Sequence, residues 1–126
     1  MKWTVYKGVL SLYTNGEEYE ELHLKNTGEP LSALIREGTN RYGRLLSVRY
    51  YICDMEIEES QIPIEFMKNL YGSTDAKYRM LYTECTGYLW TDDYCKVGGH
   101  DLINELKSHV GKYLWMSIHY EREKNE

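Results

Sequence analysis

The sequence is poor in several things at once. It has one Phe, two Pro and three Cys, no run of apolar residues near the roughly 18 that span a bilayer, and no excess of positive charge. Each shortage removes a class. Without a long apolar run there is no transmembrane helix, and with only Pro30 and Pro63 there is no proline-rich or low-complexity tract. Three Cys (Cys53, Cys85 and Cys95) cannot all pair within one chain, which argues against a disulfide scaffold. Residues Met1 to Lys7 carry no signal-type apolar stretch, so the expected compartment is the cytoplasm with reduced thiols. Fifteen basic residues against 20 acidic ones give a formal charge of −5, which argues against a general nucleic-acid coat.

What is present is tyrosine. Thirteen Tyr and three Trp stand beside the single Phe66. A tyrosine joins an apolar ring to a polar tip, so it suits half-buried strand faces and contact surfaces better than a dry core. With 126 residues, the chain suffices for one domain, expected over residues 1–120 with a charged tail at 121–126.

Alternation with a period of two predicts a strand over Trp3 to Tyr13, a turn at Asn15-Gly16 and a partner strand over Tyr19 to Lys25. Leu22 and Leu24 face inward there, whereas Glu17, Glu18, Glu20 and Glu21 read as a solvated edge. Pro30 opens a short helix over Leu31 to Glu37, with Gly38 as its stop. A basic loop, Gly38 to Arg44, leads to a strand over Leu45 to Glu58. In that strand the apolar parity flips near Tyr51 to Cys53, which predicts a bulge or bend. Pro63 to Tyr71 reads as a helix with Ile62, Phe66 and Leu70 as a core stripe. Strands follow at Ala76 to Tyr82, Thr86 to Thr91 and Tyr94 to Val97, the last two joined by a turn at Asp92-Asp93. Asp101 caps a last helix with Leu102, Leu106 and Val110 inward and Gly111 after its end. Lys112 to Tyr120 is the final strand, apolar on both faces and therefore central or covered twice. The expected fold is α+β, a bent and mainly antiparallel sheet of five to seven strands with two or three helices. A partly closed small β-barrel is the alternative.

Two segments carry the chemistry. The window Arg36 to Arg49 holds Arg41, Arg44 and Arg49 among glycines, a composition able to grip an anion. The window Thr86 to Leu102 holds Tyr88, Trp90, Gly98, Gly99, His100 and Asp101. A ring stacked on Tyr88 or Trp90 and an anion at the diglycine and helix start would make a binding site, although Asp101 as a cap competes for the same N–H groups. His100 with Asp101 as acid or base gives the alternative, a small enzyme acting on a nucleotide-like anion. No zinc spacing, nucleophile elbow or cofactor fingerprint occurs, so neither metal nor cofactor is expected.

Thr86 to Leu102, read with Ser47-Val48-Arg49-Tyr50-Tyr51 and Gly111-Lys112-Tyr113, resembles small uncharacterised proteins of phage and mobile-element gene sets. The resemblance implies an accessory protein acting on a host partner or a small host molecule, and it brings no catalytic residues. The reading is therefore a non-catalytic binding protein, self-associating through its last strand, that presents Tyr and Trp with an Arg-rich loop to a host protein or a small anionic ligand.

Overall fold

The computed structural model describes residues 2–14, 20–25, 27, 29–71, 74–83 and 88–122, with the backbone course alone at 2, 14, 20, 71, 74–83 and 88–95. Ten elements follow in order: β1 (Lys2–Thr14), β2 (Glu20–Leu24), α1 (Leu31–Tyr42), β3 (Leu45–Cys53), β4 (Lys68–Tyr71), β5 (Thr74–Thr83), β6 (Tyr88–Val97), β7 (His100–Asp101), α2 (Leu102–Lys107) and β8 (Tyr113–Tyr120). A five-stranded antiparallel sheet has the order β2-β1-β8-β3-β4, and a second sheet has the order β5-β6-β7. Neither closes on itself. The fold is α+β with an open sheet, and the barrel alternative falls away.

The central strand is the last one. β8 pairs with β1 on one side and with β3 on the other, and seven of its eight residues are buried. Both of its edges are thereby taken, so it offers no edge for self-association. Leu114, Met116, Ile118 and Tyr120 face the main core beside Val48 and Tyr50 of β3, Leu22 and Leu24 of β2, Leu31 and Ile35 of α1, and Leu102, Ile103 and Leu106 of α2. β1 serves two partners along its length, pairing with β8 over Lys2–Val9 and with β2 over Leu10–Thr14.

Several local expectations are corrected. Gly38 does not end α1; it lies buried inside the helix, which runs on to Tyr42 and stops at Gly43 with φ 82°. The flexible loop expected over Gly38 to Arg44 is therefore mostly helix. The bulge in β3 lies between Leu45 and Ser47, and from Ser47 to Cys53 the register with β8 is unbroken. The parity flip has a different cause. Tyr51, Cys53 and Ile57 pack with Ile62, Tyr113 and Trp115 in a small second core on the sheet's other face.

Residues Pro63 to Tyr71 are not a helix either. Two 3-10 turns, Glu59–Gln61 and Ile64–Phe66, lead into β4. Ile62 belongs to the second core and Leu70 to the first, while Phe66 is 66% exposed, so the three never shared one stripe. Asp92-Asp93 is not a turn: β6 runs straight through, with Asp92 opposite Arg79. Gly98 and Gly99, with φ 56° and 86°, form the two-residue turn from β6 to β7, where paired positive φ matches the strands' twist. Val110 is 42% exposed and α2 ends at Lys107, so the last helix is shorter than its sequence stripe. Glu21 is buried and bonded to His23 at 2.8 Å instead of solvated. Asn15, Gly16 and Cys85 lie outside the described residues.

Candidate functional site

The sheet's outer face is the one turned away from α1. Because side chains alternate along a strand, the register places Trp3, Val5 and Lys7 of β1 beside His119, Ser117 and Trp115 of β8 on that face. Ser47, Arg49 and Tyr51 of β3 continue the same three rows. The chain from Asp54 to Met67 covers one end through Ile57, Ile62 and Met67. The other end stays open.

At the open end the rings of Trp3 and His119 stack with centroids 4.3 Å apart and planes 9° apart. The guanidinium carbon of Arg49 lies 4.4 Å from the centre of the Trp3 ring, a cation–π arrangement. Arg49 Nε and His119 Nε2 are buried with no hydrogen-bond partner among the described residues. No carboxylate of the described residues lies within ion-pair distance of Arg49. Buried nitrogens usually find a partner, so these two have hydrogen-bonding capacity that the described residues leave unused.

Beside Arg49 opens a cavity of about 430 Å³ lined by Arg49, Glu59, Ser60, Ile62, Ile64, Met67 and Trp115. Apolar walls, a cation, an acid and a hydroxyl give it the mix of a recognition groove. Of its lining Ile64 is exposed, and Trp3 lies against its Arg49. Trp3 and Val5 are each 44% exposed, Ile64 78% and Phe66 66%. Large exposed apolar groups gathered on one face, unlike scattered ones, are typical of contact surfaces, and Trp3 and Val5 share the outer face by register.

The residues expected from sequence are dispersed. Arg49 alone of them lines this groove, and it belongs to a strand rather than to a basic loop. Arg41 sits in the last turn of α1, where a cation suits the helix dipole, and Arg44 follows at the entry to β3. Gly98 and Gly99 are accounted for by the β6–β7 turn. Tyr88 and Trp90 are placed in β6 opposite Thr83 and Leu81, with their side chains outside the described atoms. A second cavity, about 420 Å³ between Lys7, Lys25 and Tyr113, holds none of these residues. Trp3, Trp115 and His119 were missed by sequence reasoning, although their shared parity is visible once the strands are set in order.

Around His100 the structure builds something else. Its Nδ1 lies 3.1 Å from Glu105 Oε1, and Tyr50 Oη donates to Glu105 Oε2 at 3.2 Å. Asp101 is occupied as an N-cap, accepting from Asn104 N at 3.2 Å. Burial, with the Glu105 carboxylate beside it, pushes the Tyr50 hydroxyl up to about 12. Folding thus favours the neutral phenol, whose ordinary value is about 10. This contribution to stability is whole below about pH 10 and is lost as pH rises through about 12. Urea unfolding from pH 8 to 12 is expected to show this alkaline loss, and Tyr50→Phe to flatten it.

Nucleophilic chemistry finds no support at Cys53. Burial raises its pKa and its Sγ donates to Met55 O at 3.0 Å, so the thiol stays protonated at neutral pH. No cluster of three or more His, Cys, Asp or Glu able to hold a metal occurs among the described residues. No helix of the described residues is long and apolar enough to cross a membrane. Set against family models, curated proteins and solved structures, the chain matches none of them.

Proposed function

We propose that this chain is a non-catalytic binding module whose working surface is the outer face of β1, β8 and β3. Its ligand is an extended segment of a partner protein that carries a carboxylate next to an apolar side chain. The observation that carries this reading is Arg49, whose guanidinium lies over the Trp3 ring at the rim of the groove with no carboxylate of the described residues within ion-pair distance. A guanidinium already positioned by stacking has little further entropy to lose, so a carboxylate gains a bidentate partner at small cost. Ile62, Ile64, Met67 and Trp115 then receive the apolar side chain. Glu59 in the same wall disfavours a free small anion and suits a peptide, whose backbone N–H it accepts. The sequence resemblance to phage and mobile-element proteins makes a host protein the partner class to test first. Arg41 and Arg44 fall outside this reading.

The test starts from peptides selected on the wild-type chain from a random library, with affinities measured by fluorescence anisotropy. Arg49→Glu is expected to weaken binding at least about tenfold, a change of about 1.4 kcal/mol, and Arg49→Lys to weaken it less. His100→Ala is expected to leave it unchanged. Equal affinities for wild type and Arg49→Glu would overturn the reading.

A second reading is favoured by one observation, the chain of contacts from Tyr50 through Glu105 to His100, which orients an imidazole for acid–base work on a nucleotide-like anion. Neither described cavity includes His100. Turnover of such a substrate by wild type and its loss in His100→Ala would replace the binding reading with this one.

A further inference from the structure

The edge of β1 has an unused stretch. Leu10 N donates to Lys112 O at 2.9 Å and Leu10 O accepts from Gly111 N at 2.9 Å, so the backbone groups of Leu10 point toward β8. A period of two sends those of Gly8, Tyr6 and Thr4 the same way. The groups of Trp3, Val5, Lys7 and Val9 therefore point to the opposite edge. Val9 O accepts there from Lys25 N at 2.7 Å, and the pairing with β2 reaches no further. From Trp3 to Lys7 the outward N–H and C=O groups have no strand partner among the described residues.

Sheet edges in this state are usually shortened, bulged or covered, whereas over Trp3 to Lys7 β1 is long, unbulged and without a strand partner among the described residues. Its register with β8 from Lys2 to Val9 has no shift. The sheet's other edges differ: β4 has four residues, and on β2 the residue His23 is bridged by Pro30.

We propose that a second copy of this chain pairs antiparallel with β1 about a two-fold axis at Val5, joining the two five-stranded sheets into one. The pattern is complementary to itself. With Val5 opposite Val5 of the second copy, Trp3 falls opposite Lys7 of the second copy, and each of these pairs exchanges both of its hydrogen bonds because all of these residues point their groups outward. On the outer face the exposed Val5 side chains meet each other, and the Lys7 ammonium reaches the Trp3 ring. Residues Lys2 to Val9 contain no acidic residue and no proline that would break the ladder. The second copy's Lys7 thus joins Arg49 around Trp3, and two grooves open on one continuous face. So short a seam buries less than the roughly 1,200 Å² of a standard interface, which makes the dimer concentration-dependent.

Sedimentation equilibrium of the whole chain from about 10 μM to about 1 mM tests this, since that range brackets affinities expected of a small interface. The wild-type mass is expected to rise from 15.0 kDa toward twice that value. Val5→Pro removes one outward donor that the ladder to β8 does not use, as prolines on strand edges do. Val5→Lys sets two ammonium groups face to face and keeps the strand intact if the proline does not fold. Both are expected to stay monomeric with unchanged circular dichroism, while His100→Ala, in β7 of the other sheet, still dimerises. A wild-type chain that is monomeric at about 1 mM, or a dimer that persists in folded Val5→Lys, would overturn the proposal.

Discussion

Ile118→Ala is expected to lower stability by about 2–5 kcal/mol, a large share of the roughly 5–15 kcal/mol of a small domain. Ile118 is fully buried in the middle of β8, between Thr4 of β1 and Val48 of β3. The substitution removes three buried carbons, worth about 0.8 kcal/mol each in transfer, and strands on both sides prevent collapse into the space they leave. Urea unfolding followed by Trp fluorescence should show the midpoint falling by about 1–3 M with the slope unchanged. Val110→Ala, at an exposed position past the end of α2, should move the midpoint hardly at all, although the sequence pattern puts both residues inside.

The second large effect has an unexpected sign. Glycine to alanine within a helix ordinarily stabilises by about 0.5–1 kcal/mol. Gly38→Ala should instead destabilise by about 1–3 kcal/mol or more, because a Cβ at that position would overlap the Tyr120 ring and hydroxyl. Tyr120 cannot easily yield. It is fully buried, its hydroxyl lies 3.0 Å from that of Tyr6, and it donates to Ile35 O at 3.4 Å. In a Tyr120→Leu background, where the outer part of the ring is gone, Gly38→Ala should lose most of its cost, and this coupling separates crowding from any intrinsic helix effect.

Gly38 also shows why the sequence was readable only in part. A glycine after an amphipathic stretch has two readings, a backbone turned to positive φ or a side chain kept small for a neighbour. Here Gly43 does the first and Gly38 the second. The neighbour that decides is Tyr120, 82 positions away in the chain and invisible to local pattern. The alternation in β1, β2 and β8 was legible because one face of each meets the core. Ile62, Phe66 and Leu70 misled for the opposite reason: a four-residue spacing mimicked one helical face, while the residues belong to two cores and to solvent.

The candidate site was harder still. Arg49 was singled out, but with Arg41 and Arg44, which share its charge and not its location. Trp3, Arg49, Trp115 and His119 come from three strands far apart in the chain, and only the order β1-β8-β3 sets them side by side. Composition announced the excess of aromatics, yet the register decides which rings cover a core and which remain open.

The central claim is that the groove beside Arg49 recognises a carboxylate joined to an apolar group. An NMR titration of the wild-type chain with N-acetylphenylalanine, which carries both in one small molecule, tests it most directly. Saturable shifts are expected, at about millimolar concentration for so small a probe, confined to Trp3, Arg49, Ile62, Met67 and Trp115 and abolished in Arg49→Glu. Shifts centred instead on His100 or on Arg41 and Arg44, or no shift at Arg49 and Trp115, would contradict it.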